Sequence, residues 1–297
     1  MPEPAQPGDP ELWPGIFAEA FRADYGVNVC AIVMYGSWLR GKRDTVLDFY
    51  VLLEDYGDFG SLLERTANRA LAPNVYNRVI TASGQVCSAK FATLTLGHLE
   101  RAITHDFHSY FWARFAQPIE VIYVRDEATR LRVAHACDQA ATRMIDETTP
   151  MFTGEFSQTE LWQRAFSLTY ACELRSEDAR KSGELADNYS EHLMRMTEKL
   201  ATRCGLSVRP GGRWHCDAPR FTSPVWRWRL RRLVGKGLSV ARLFKAAFTF
   251  NQPLEYILWK VERHSGVREQ PSELQCRFPL LFAWPVLWRI YRRGGFR

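Results

Sequence analysis

Apolar and polar positions alternate in two registers along this chain. Short apolar runs, Val27–Met34 and Leu47–Leu53, predict neighbouring strands early in the sequence, and Asn74–Thr81, Lys90–Thr95 and Ile119–Val124 predict three more. Ser83-Gly84 breaks the third run from the fourth, and 57–60 reads as a turn. Helical spacing appears over Pro10–Tyr25, where Leu12, Trp13, Ile16, Phe17 and Phe21 share one face and Gly26 ends the run. A short helix is expected over 61–70 with Ser61 as its N-cap, and others over Leu96–Thr104 and Tyr110–Phe115. From Ala128 to about Ala201 the pattern is helical, clearest over 155–170 and 185–200. Strands with short helices, then helices alone, predict an α+β fold: a mixed sheet with helices, a helical domain, and a different C-terminal region.

The expected divisions are a disordered, Pro-rich N-terminus at 1–11, a first domain at 12–150, a helical domain and linker at 151–223, and a basic, Trp-rich region at 224–297. The linker is placed from Pro210-Gly211-Gly212 to about Pro224. A content of 46% hydrophobic and 24% charged residues is enough to build a core. No apolar run reaches the roughly 18 residues that a membrane-spanning helix needs, and the N-terminus has neither an apolar signal core nor an Arg/Ser-rich amphipathic pattern. Seven scattered cysteines without a CxxC pair argue against a disulfide framework and a zinc module, and for a reducing compartment.

Charge divides the chain. Residues 224–297 hold fifteen Lys/Arg against four Glu, whereas the whole chain carries only +6. In that region Trp226, Trp228, Arg231, Arg232, Lys236, Trp284, Trp288 and Arg292 interleave rings and cations. This mixture suits an anionic membrane surface, where rings sit at headgroup depth and each cation contributes about 1 kcal/mol. A core-packed helix with a solvated basic face and a nucleic-acid contact are the competing readings.

The candidate chemistry lies between the first two runs. The first ends in Gly36-Ser37, and the second carries one acid, Asp48, inside an apolar strand. A carboxylate there is costly without a partner, which is either a metal ion or one of Arg40, Lys42 and Arg43. Gly-Ser at a strand end followed by a strand acid resembles the nucleotidyltransferase motif. There, close backbone approach and a hard cation hold a triphosphate. The second acid of the usual Asp-x-Asp is absent, since Phe49-Tyr50 follows Asp48. Extra carboxylates help activate a hydroxyl nucleophile, and a phosphate monoester does not need that help.

An ordered series of segments resembles the Tam41-type phosphatidate cytidylyltransferases, which make CDP-diacylglycerol. It comprises Tyr35-Gly36-Ser37, Leu47-Asp48-Phe49, Glu54-Asp55, Pro73-Asn74-Val75-Tyr76, Lys90-Phe91, Arg114 with Pro118, and Tyr170, Glu173 and Arg175. Lys236-Gly237 and Lys245 match more loosely. Trp38-Leu39 after Gly-Ser, and the Trp-rich stretch after 210, depart from the family. The resemblance implies a nucleotidyltransferase-like domain that moves CMP from CTP to phosphatidic acid with Mg2+, peripheral on the inner face of a membrane in the cytoplasm. It implies Asp48 and Asp55 as metal ligands and Lys90 and Arg114 as catalytic cations. Tyr35, Gly36, Ser37, Asn74 and Tyr76 would contact the nucleotide, and Glu54, Tyr170, Glu173 and Arg175 are further candidates. The alternatives are a nucleotidyltransferase acting on RNA or protein, and an inactive scaffold of the same fold.

Overall fold

The computed structural model describes residues 10–43, 45–57, 66, 68–173, 179–217, 224–249, 271–273, 275 and 284–293. The chain divides into two compact units, Met1–Ser239 and Val240–Arg297. The first opens with a 3-10 turn at Pro10–Leu12, part of the stretch expected to be disordered, and residues 1–9 lie outside the described set. It continues with α1 (Trp13–Tyr25), β1 (Val29–Tyr35), β2 (Leu47–Leu53), β3 (Asn74–Ala82), β4 (Gln85–Thr95), α2 (Leu96–Thr104), α3 (Trp112–Ala116), β5 (Glu120–Val124) and α4 (Glu127–Thr148). Helices α5 (Gln158–Tyr170), α6 (Ala179–Asn188) and α7 (Ser190–Leu200) and strands β6 (Leu206–Arg209) and β7 (Arg213–Cys216) follow, and then α8 (Pro224–Thr249), whose residues from 240 on belong to the second unit. The second unit contains α9 (Trp284–Arg292), which exposes Trp288, Arg289 and Arg292. Most of the expected turn at 57–60 and of the helix at 61–70 lies outside the described residues.

The fold is α+β. Five strands form one sheet in the order β3-β4-β2-β1-β5, antiparallel except for the parallel pair β2/β4. Both faces of this sheet are covered, which explains why β2 reads as a continuous apolar run. On one face α1 packs Phe17 and Phe21 against Phe49, with ring centroids 5.9 and 5.5 Å away. On the other face Val33, Tyr50 and Leu94 meet α2 to α5 and α7. Thr95 caps α2, its side chain accepting from the His98 N–H at 3.1 Å, so the helix starts where the strand stops.

The break expected at 150 is not a break in the core. Tyr50, Trp112 and Met144 belong to one buried cluster with Phe156, Trp162, Leu193 and Trp214. The expected linker begins as a hairpin. Gly211 and Gly212 turn β6 into β7 with φ of +79° and +73°, and Phe156 bridges to Trp214. The helix expected over 185–200 divides at Tyr189 into α6 and α7. The start of α8 also joins the first unit's core through Trp228. A Cβ on Gly235 would meet the Cys172 carbonyl oxygen at 2.4 Å, so only glycine permits that approach.

Candidate active site

The expected Gly-Ser turn closes onto the expected acid. β1 and β2 pair Tyr35 opposite Asp48, so Gly36 leaves the sheet beside the Asp48 carboxylate. Its φ is +92°, and a Cβ there would lie 2.9 Å from Asp48 Oδ2. Ser37 begins a tight turn, its carbonyl accepting from the Arg40 and Lys42 N–H groups at 3.0 and 3.3 Å. Its hydroxyl lies 2.9 Å from that of Thr45. On the other side of Asp48, the parallel register places Lys90 directly opposite on β4. Lys90 is exposed and forms no ion pair with a described residue.

These residues line a cavity of about 330 Å3 with Arg40, Tyr50, Val75, Tyr110, Arg114, Gln117, Tyr170 and Leu185. Tyr35 and Tyr50 stack at 5.1 Å. Burial, then the neighbouring Tyr35, holds the Tyr50 phenol well above its ordinary pKa, so it stays neutral. Arg40 donates to the Tyr189 hydroxyl at 2.8 Å, and Arg43 is held by Glu11 and the Trp38 carbonyl. Arg114 is committed to a protein partner. Its two Nη atoms meet the Glu173 oxygens at 2.6 and 2.7 Å, and its guanidinium lies 4.1 Å over the Tyr110 ring. Burial opposes the Arg114 charge, but Glu173, Tyr110 and Tyr50 outweigh it and keep the guanidinium protonated. Arg114 therefore shapes the cavity wall while Glu173 cancels its charge, which leaves Arg40 and Lys90 against Asp48.

Several expected site residues lie elsewhere. Glu54 and Asp55 follow the far end of β2, about 20 Å from Asp48 at ~3.3 Å per residue, so Asp55 cannot share a metal with it. Glu54 pairs with Arg125 at 2.7 Å and accepts from the Cys30 thiol, and the Asp55 N–H bonds Asn28. The bond from Arg125, then that from Cys30, holds the Glu54 carboxyl below its ordinary range. Tyr76 packs its ring 5.3 Å from Phe91 on the α1 face, and Asn74 shares that face by the two-residue strand period. Val75, between them, lines the cavity instead. Arg175 lies outside the described residues, Tyr170 lines the cavity, and Glu173 stays behind the wall as the partner of Arg114.

The membrane candidates separate by helix face. Trp226 is 63% and Leu233 is 70% exposed, and Arg229, Arg232 and Lys236 are exposed with them. Trp228 and Arg231 point inward and cannot reach a bilayer. Trp228 donates to the Glu147 carbonyl at 2.8 Å. Arg231 is fully buried, 2.9 Å from a Glu147 oxygen, and donates to the Phe107 carbonyl at 2.7 Å. The side chain of Trp284 lies outside the described set. Among the described residues no helix is long and apolar enough to cross a membrane, and no three His, Cys, Asp or Glu gather as a metal site.

Tyr50, Tyr110, Gln117 and Leu185 are cavity residues that the motif reading passed over, whereas Arg40, weighed as a partner for Asp48, does line the cavity. Tyr50 was available from the strand period, two residues after Asp48. Tyr110, Gln117 and Leu185 come from segments distant in sequence and left no local signal. No family model matches this chain, and no curated protein matches it.

Proposed function

We propose that this chain transfers the cytidylyl group of CTP onto the phosphate of phosphatidate, giving CDP-diacylglycerol and pyrophosphate. The observation that carries the reading is the Gly36 backbone set against the Asp48 carboxylate, with Lys90 opposite in register. The glycine allows phosphate oxygens close to the main chain. Lys90 and Arg40 supply positive charge, and Ser37 supplies a hydroxyl. A phosphatidate oxygen attacks the α-phosphorus, a P–O bond forms, the bond to the β-phosphate oxygen breaks, and pyrophosphate carries away the electron pair. The nucleophile is already an anion, so the chain's contribution is positioning and charge neutralisation.

The wall fits magnesium in one respect. This cation commonly uses one or two carboxylates plus substrate phosphates and water, and Asp48 is the one acid on the wall among the described residues. Bound with the triphosphate and held by Asp48, it would neutralise developing charge on the phosphate oxygens. The lipid reading draws on the exposed face of α8, where Trp226 and Leu233 lie among Arg229, Arg232 and Lys236. Large exposed apolar side chains among cations suit a membrane surface better than an RNA backbone.

The test is purified protein with labelled CTP, magnesium and phosphatidate vesicles. Label in lipid with stoichiometric pyrophosphate is expected, and loss of both in Asp48→Asn. No pyrophosphate from the wild-type chain overturns the reading. Label in RNA or protein, with none in lipid, replaces it with the alternative acceptor.

A further inference from the structure

We propose that Gln117 selects the nucleobase in this cavity, accepting a hydrogen bond from the exocyclic amine of a one-ring base. This rests on the reading that a nucleotide occupies the cavity. Gln117 follows the last residue of α3 and lines the cavity with Tyr110, Tyr170 and Leu185. Its Nε2 donates to the Ala113 carbonyl at 2.6 Å and to the Tyr170 hydroxyl at 2.7 Å. A backbone carbonyl only accepts, so the amide nitrogen must face Ala113, and the orientation of the amide is settled by the network. Both of its protons are then used. No described residue donates to Oε1, so the polar atom that Gln117 offers a ligand is a pure acceptor.

An acceptor in a fixed position discriminates by polarity. The amine of cytosine or adenine donates to it, whereas the keto oxygen of uracil or guanine presents lone pair to lone pair. A small cavity favours cytosine, with one ring, over adenine, with two. The cavity, at about 330 Å3, is near the low end of ligand sites, roughly 300–1,000 Å3. Asp48 and Lys90, with Gly36 and Ser37 beside them, form the charged part of the lining, and Gln117, bonded to Tyr170, belongs with the aromatic part. There Tyr170 stacks on Phe166 at 6.0 Å, and Arg114 covers one face of Tyr110. Rings of this kind take the flat face of a base. The amide reads its edge.

The experiment compares kcat/KM for CTP, UTP and ATP with phosphatidate vesicles. It adds the triphosphate of 2-pyrimidinone riboside, which is cytosine without its amine. The wild-type chain should use CTP at least tenfold better than each of the others. In Gln117→Leu the CTP-to-UTP ratio should fall tenfold or more, through loss on CTP. Gln117→Glu loses the same two donated bonds but keeps oxygen acceptors, and should retain the preference for CTP. A residue that only buttresses α3 would lower all nucleotides by one factor in both variants, and that outcome overturns the proposal. Equal use of CTP and the amine-free analogue by the wild-type chain overturns it without any variant. Transfer from no nucleotide overturns the cytidylyltransferase reading, and this one falls with it.

Discussion

Gly36→Ala tests the centre of the site without assuming its activity. The new Cβ would sit 2.9 Å from Asp48 Oδ2, closer than van der Waals contact, at a backbone φ of +92°. The φ alone costs an L-residue about 1–3 kcal/mol, and overpacking adds about 1–3 kcal/mol. Gly41 supplies the control, because its φ is +79° but an added Cβ meets nothing within 4 Å. Urea unfolding should show Gly41→Ala losing about 1–3 kcal/mol and Gly36→Ala about 2–6 kcal/mol. The contact is separated from the strain by the double variant Gly36→Ala with Asp48→Ala, which removes the carboxylate. Its loss should be smaller than the sum of the single losses by about 1–3 kcal/mol, the size of a direct contact. If the proposed transfer is assayed as well, a displaced Asp48 should cut turnover in Gly36→Ala by about a hundredfold. Additive losses, or a Gly36→Ala no worse than Gly41→Ala, would refute the claim that this glycine makes room for the acid.

Other outcomes follow from the geometry. Glu173→Gln leaves the buried Arg114 charge uncompensated and should lower unfolding stability by about 3–5 kcal/mol, and a loss below about 1 kcal/mol would place the pair in solvent. In the proposed reaction, Asp55→Asn should leave the magnesium dependence of transfer unchanged while Asp48→Asn abolishes transfer; equal effects would contradict the ~20 Å separation of the two acids. Burial holds His192 below its ordinary pKa of 6.5, and its Nε2 lies 3.3 Å from the Ala116 carbonyl. The unfolded chain therefore takes the proton first. The contribution is complete above pH 6.5 and is lost as pH falls through 6.5 toward the folded value, so His192→Gln should flatten stability against pH over that window. Replacing Trp226 and Leu233 together by Ser should abolish flotation with phosphatidate vesicles and leave unfolding unchanged; a stability loss would mean that this face is covered.

What could be read from the sequence depended on whether the signal was local. β2 and α2 were legible to the residue, because an apolar run and a helical apolar spacing are local features. The separation of Asp55 from Asp48 was also legible. Asp48 sits near the start of the second apolar run and Asp55 lies two residues past its end, and resemblance hid that arithmetic. Glu173 as the partner of Arg114 was not readable, since the two are 59 positions apart. Nor were the faces of α8. Trp226 and Trp228 are two residues apart in the same Trp-Arg pattern, yet one is 63% exposed and the other 5%. Composition names the residue types, and only packing decides which way they face.

In the proposed transfer, the charges around the cavity limit the acceptor more than any motif does. A hydroxyl acceptor needs a group to remove its proton, usually a base or a second metal held by a second acid. Among the described residues the wall carries no histidine and no acid besides Asp48. Arg114 adds no net charge, because Glu173 pairs with it in two-pronged fashion. Arg40 and Lys90 therefore leave the cavity with more cation than anion before a ligand enters. That imbalance favours two anionic reactants over one, and a nucleophile that arrives already ionised over one that must be made so. A phosphate monoester meets both conditions, and a ribose hydroxyl meets neither.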